Sequence, residues 1–224
     1  MIPGIIPIGA GESGPSVIYR TQTGLGANTS SFSFAGQNIG YVDPTRVIVV
    51  AVHYYEYDTS AIITSLTVNG TSAPQRILRS RLVAGASGSY VYTALHSLAV
   101  PTATTATIAI TFNRAIDYGC RIGVWSLYNV SSAVPVATDS SNDTSSLDIN
   151  VQPNDVGVVA TTGVYGVGSI SWTNATERYD VVQVNNLTTS GADFLALTTQ
   201  TPRSVTATST SVTQGTSNCM AIWR

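Results

Sequence analysis

From about residue 16 onward, short runs rich in Val, Ile, Thr and Tyr are separated by Gly, Pro, Asn, Asp and Ser, and no stretch sustains a 3.6-residue period. The pattern predicts an all-β chain. Strands are expected at 16–21, 31–35, 45–54, 62–68, 75–83, 89–98, 105–112, 121–128, 145–151, 156–162, 168–172, 178–184, 193–199, 204–210 and 217–224. Their spacing suits an antiparallel β-sandwich, jelly-roll-like, with hairpin links. Two runs differ in kind. Val47-Ile48-Val49-Val50-Ala51-Val52 is apolar throughout, which predicts a central strand covered on both faces, whereas Thr105 to Phe112 nearly alternates, which predicts one exposed face.

Residues 1–15 read as an extended N-terminal arm, because four isoleucines lie among three prolines and four glycines, a mixture unsuited to helix or ladder strand. Ile2, Ile5, Ile6 and Ile8 are the side chains such an arm would dock with. Residues 16–224 are expected to form a single sandwich domain. Ser131 to Thr144, with Pro135, several Ser and the acids Asp139 and Asp143, reads as an exposed loop and is the best place to divide the chain. Trp125 and Trp172, on either side of it, are expected to anchor one common core. Asn69-Gly70 signals a hairpin, with Pro74 arguing for a loop longer than two residues. No internal repeat stands out.

Only 10% of the 224 residues are charged, the formal net charge is −2, and every cation besides the two histidines is an arginine. A surface covered mainly by Ser, Thr, Asn and Gly has little charge to oppose self-association, so a homo-oligomer is expected, with a trimer favoured. No basic patch with interleaved aromatics points to nucleic acid. No apolar run reaches the roughly 18 residues that a membrane helix needs. Prolines interrupt the apolar amino terminus, which also lacks a basic start, so it makes a poor signal peptide. Cys120 and Cys219 are expected as buried reduced thiols.

Candidate chemistry is sparse. His53 and His96 both sit inside apolar strand runs, where a hydrogen-bonded structural histidine is the expected state, and no G-x-S-x-G elbow occurs. Glu56 with Asp58, and Glu177 with Asp180, are the close carboxylate sets that glycoside cleavage would draw on. In Tyr54-Tyr55-Glu56-Tyr57-Asp58, strand alternation places Tyr55 and Tyr57 on one face and the acids on the other. Rings beside carboxylates at a strand end suit sugar binding, with Tyr118 and Tyr165 as further loop aromatics. Asp139, Asn142, Asp143 and Asp148 lack the order of a calcium loop, and no cysteine or histidine cluster suggests zinc. No cofactor and no metal are expected, and six N-x-S/T triplets are assigned no function.

Trp172 to Asp180, Cys219 to Arg224 and Val124 to Tyr128 together resemble a set of all-β proteins encoded among the structural genes of tailed bacteriophages, over roughly residues 45–224. The resemblance implies a jelly-roll-like, non-enzymatic virion protein assembled in the bacterial host cytoplasm. On that basis the expected function is a capsid decoration or cement protein docking on the outer shell, with the major capsid protein or other virion proteins as partners. The alternative is a tail-fibre or baseplate module that binds a receptor or carbohydrate through Tyr55, Glu56, Tyr57 and Asp58.

Overall fold

Val47–Glu56 is buried at every position, because the strand it forms lies in the middle of a sheet that is itself sandwiched between two others. The computed structural model describes residues 14–26, 28–57, 60–83, 88–143, 146–164, 167–184, 187–210 and 215–224. These form strands β1 (Ser16–Leu25), β2 (Thr29–Asn38), β3 (Val47–Glu56), β4 (Ile63–Val68), β5 (Thr71–Ser72), β6 (Gln75–Leu82), β7 (Tyr90–Ala99), β8 (Thr105–Ile116) and β9 (Cys120–Tyr128). The second half supplies β10 (Ala137–Asn142), β11 (Leu147–Val151), β12 (Val156–Val164), β13 (Ile170–Thr173), β14 (Thr176–Val184), β15 (Leu187–Leu195), β16 (Gln200–Ser209) and β17 (Thr216–Trp223). Each expected strand overlaps an observed one. The longest overhang is that of the 193–199 run, since β15 starts at Leu187 and ends at Leu195.

Among the described residues four sheets are formed, all from antiparallel pairs: A (β1-β9-β3-β7-β6), B (β2-β8-β4-β5), C (β10-β17-β12-β15-β14) and D (β11-β16-β13). They stack in the order B, A, C, D. Between B and A, Ile48, Val50, Val52 and Tyr54 of β3 meet Phe34, Leu66, Ile108 and Ile110. The alternate residues Val47, Val49 and Ala51 point the other way and pack with Trp125, Val156, Val158, Ala221 and Trp223 between A and C. Between C and D lie Val159, Phe194, Met220 and Ile222 against Leu147, Ile149, Val151 and Val205. Strand β8 in the outer sheet B alternates buried and exposed over most of its length, as its sequence predicts.

The second half repeats the first. Replacing β1, β9, β3, β7 and β6 by β10, β17, β12, β15 and β14 turns the order of sheet A into that of sheet C, and β2-β8-β4 likewise becomes β11-β16-β13. The repeat is visible in sequence as V-x-P-x-x-V-x-V-V-A, present as Val42 to Ala51 and again as Val151 to Ala160. Hydrogen bonds repeat with it: the Arg46 amide donates to Asp43 O at 3.2 Å and its carbonyl accepts from Val100 N at 3.1 Å, while the Asp155 amide donates to Gln152 O at 3.1 Å and its carbonyl accepts from Ala196 N at 2.8 Å. The expectation of no internal repeat is thereby corrected. Six matched positions spread over ten residues are a faint signal in a chain whose strands all draw on Val, Ile, Ala and Thr.

Two local expectations also change. Residues 137–142 are not loop but β10, whose polar Ala-Thr-Asp-Ser-Ser-Asn pairs with β17 at the edge of sheet C, where one side of the strand needs no apolar cover. The Asn69-Gly70 turn is a two-residue one, with Val68 paired to Thr71, φ of 50° at Asn69 and 79° at Gly70. Positive φ at both residues matches the hairpin twist, and Pro74 falls beyond β5.

Candidate functional site

Strand β3 ends on Tyr55 and Glu56, Tyr57 follows it directly, and the β8–β9 turn brings Tyr118 alongside. The three tyrosine rings form a cluster, with Tyr118 centred 4.5 Å from Tyr55 and 5.5 Å from Tyr57. The Tyr57 and Tyr118 hydroxyls are hydrogen-bonded to each other. Tyr55 and Tyr57 share a face, as alternation predicts, but Tyr55 is completely buried with Val83, Val91, Val164 and Leu187 and offers no surface to a sugar. Tyr57 is 46% exposed, yet it meets Tyr118 edge to face at 66° rather than forming one flat platform.

Glu56 is also fully buried. Its Oε1 accepts from the Tyr57 amide at 2.9 Å and its Oε2 from the Asp117 amide at 3.0 Å, so the carboxylate ties the end of β3 to the β8–β9 turn. Burial raises its pKa, opposed by those two amides. Asp58 and Tyr165 lie outside the described residues, as do Ile2, Ile5, Ile6 and Ile8 of the arm. Of the glycan-binding set, Tyr57 is therefore the member that the structure places at the surface.

His53, also on β3, faces sheet C. Its Nδ1 lies 2.7 Å from Thr162 Oγ1 and its Nε2 2.7 Å from the Tyr179 hydroxyl. Thr162 continues to Thr93 at 2.7 Å, and Thr93 to Ser217 at 2.8 Å, making a closed polar seam between β3 and β7 on one side and β12, β14 and β17 on the other. Burial, helped by the Arg121 charge, lowers the His53 pKa to about 3. With both nitrogens engaged and no exposed surface, this imidazole joins the two halves of the chain.

The acids behave similarly. Asp193, 1% exposed, accepts from Trp125 Nε1 at 2.9 Å and takes a bidentate pair from Arg178 at 2.8 and 2.7 Å. Asp155 is held by Arg224 at 2.7 and 2.8 Å. Burial would raise its carboxyl, but the Arg224 hydrogen bond, the Gln152 amide and the Arg224 charge leave it below the usual range. The fully buried Arg46 donates to the carbonyls of Val100, Gly40, Tyr41, Thr102 and Ala103. Asp180 accepts from Ser169 and the Ile170 amide, and Asp139 from the amides of Ser140 and Asp148. Among the described residues, no three His, Cys, Asp or Glu side chains converge to hold a metal ion. Asp155, Asp193 and Arg46 were not singled out by sequence. Their signal is indirect, in that Arg46 and Asp155 stand at the same position of the repeated pattern.

His96 differs from His53. Its Nδ1 lies 2.9 Å from the Ala73 carbonyl, and its Nε2 is buried with no partner among the described residues. It lines a groove of about 210 Å³ together with Thr64, Ser65, Ser72 and Gln75. Comparison of the chain with protein-family models, curated proteins and solved structures finds no match in any of the three.

Proposed function

We propose that the protein is a non-enzymatic structural component of a tailed-bacteriophage virion, a decoration or cement protein that docks on the outer capsid shell. The observation that carries this reading is the use of the polar groups. His53, Glu56, Asp155, Asp193 and Arg46 each hold one strand or turn to another inside a four-layer body. Such a body suits a rigid load-sharing part. The weakly charged surface and the apolar arm sequence suit attachment within a crowded assembly.

Each half is read as a jelly roll. In support, the chain crosses repeatedly between the paired sheets, with β4–β5 and β6–β7 as same-sheet hairpins, so that β1-β9-β3-β7 faces β2-β8-β4-β5, the interleaving produced by two nested Greek keys. A carbohydrate-binding tail module is the second reading, favoured by the exposed Tyr57 beside Tyr118. Copy number in purified particles, measured by quantitative mass spectrometry, separates the two. Hundreds of copies are expected for a decoration protein, and a few dozen or fewer would move the protein to the tail. Deleting residues 2–10 should abolish incorporation while leaving the melting temperature of the body unchanged; normal incorporation would place docking in the sheets instead.

A further inference from the structure

We propose that the groove between β4, β5 and β6 is a binding site for a single neutral saccharide unit, with His96 Nε2 as the acceptor that orients it. Ala73 O can only accept, so His96 Nδ1 carries the proton and Nε2 presents a bare lone pair. That nitrogen is unpartnered on a side chain only 3% exposed. A buried acceptor without a donor is unfavourable, and a hydroxyl entering the groove supplies one. The groove walls match. Thr64, Ser65, Ser72 and Gln75 are exposed polar side chains at its lip, and the exposed Pro74 with the half-buried Ile63 supplies apolar surface for the C–H face of a ring.

Among the described residues no charged side chain lines the groove, which argues for an uncharged ligand. Arg76, the nearest cation on β6, turns away to donate to Ser97 Oγ at 2.8 Å and Ser97 O at 3.1 Å. Burial keeps His96 neutral, with a pKa of about 4, so that the lone pair is present at physiological pH. Both walls are irregular: the register shifts between Ile63 and Ser65 on β4 and between Gln75 and Ile77 on β6, beside His96. Bulges re-aim side chains at strand edges. At about 210 Å³, the groove admits one sugar ring rather than a buried oligosaccharide.

The inference does not depend on where in a particle the protein sits, and it is tested on the purified chain. Protein labelled with ¹⁵N is titrated with glucose, galactose, rhamnose and N-acetylglucosamine, with sodium phosphate as the charged comparison, following His96 Nε2 and the amides of Ser65, Ser72 and Gln75. At least one sugar is expected to give saturable shifts at these atoms, with a dissociation constant on the order of millimolar. His96→Phe should weaken that binding about tenfold, the loss of one buried hydrogen bond. Ser72→Arg, on the exposed hairpin and without core contacts, should abolish it in a protein of unchanged melting temperature. The proposal is overturned by the absence of saturable shifts with any sugar, by shifts that persist in Ser72→Arg, or by phosphate binding there as well as the sugars do.

Discussion

Trp125 of sheet A and Asp193 of sheet C meet across the central interface, the indole Nε1 donating to Oδ2 at 2.9 Å while Arg178 closes the rest of the carboxylate. One buried acid thus serves both halves of the chain. Asp193→Ala should destabilise by about 2–4 kcal/mol, because it leaves the buried Trp125 indole N–H without its acceptor and removes the bidentate partner of the partly exposed Arg178. Asp193→Asn keeps an acceptor for Trp125 and should lose less, about 1–3 kcal/mol. Urea unfolding of the two variants measures the difference, and equal losses would show that the charge pair with Arg178 is the whole effect.

The tryptophans should separate by depth. Trp125 and Trp223 are fully buried in the interface between sheets A and C, so replacing either by Ala should cost about 3–5 kcal/mol. Trp172, expected from sequence to match Trp125, is only partly buried and hydrogen-bonds Ser190 from β13 at 2.8 Å. Trp172→Ala should cost about half as much or less. A Trp172 loss equal to that of Trp125 would contradict this ordering.

Acid should weaken the fold through its histidines. In the folded protein His53 and His96 stay neutral down to about pH 3 and about pH 4, whereas an unfolded histidine takes up its proton near 6.5. The unfolded state therefore binds more protons below pH 6.5, and this contribution to stability is complete above that pH and falls as the solution is acidified. Between pH 8 and pH 5 each histidine should remove about 2 kcal/mol. Glu56 and Asp193, raised by burial, act in the opposite direction. The histidine part is isolated by comparison with His96→Gln, whose loss over that pH range should be smaller by about 2 kcal/mol.

Cys120 packs in the core between sheets A and B, and Cys219 in the core between A and C. Both thiols are free, and burial pushes their pKa values up, which removes the nucleophilic thiolate. Neither should react with a thiol reagent in the native protein, and both should react after denaturation without reductant. Rapid native labelling of either would mean that its core opens.

Tyr179 fits between Gly123 of β9 and Gly191 of β15. A Cβ at Gly123 would lie 2.7 Å from Tyr179 Cε1, and one at Gly191 would lie 2.5 Å from the same atom. Gly123→Ala should therefore cost about 1–3 kcal/mol by overpacking, and most of that penalty should vanish in a Tyr179→Ala background. A penalty that stays would place the clash elsewhere.

Much of this architecture was legible in the residues because strand formation follows local pattern. The unbroken apolar run of β3 announced burial on both faces, and the alternation of β8 announced an outer sheet. Glu56, Tyr55 and Tyr57 were correctly placed at a strand end, and the faces of the tyrosines followed from period two. Polar β10 escaped notice because an edge strand can be held by backbone pairing with β17 alone, without an apolar signature. The remaining features are decided by contacts between residues far apart in sequence: Tyr179 reaching His53, Asp193 reaching Trp125, and Ala73 holding one nitrogen of His96 while the other has no partner among the described residues. Local sequence determines which residues become strands and which side of each is apolar. Which strands pair, how the two repeated halves share a central interface, and whether a polar side chain ends as a tie or as an open acceptor depend on the stacking of four sheets, which no short window of the chain encodes.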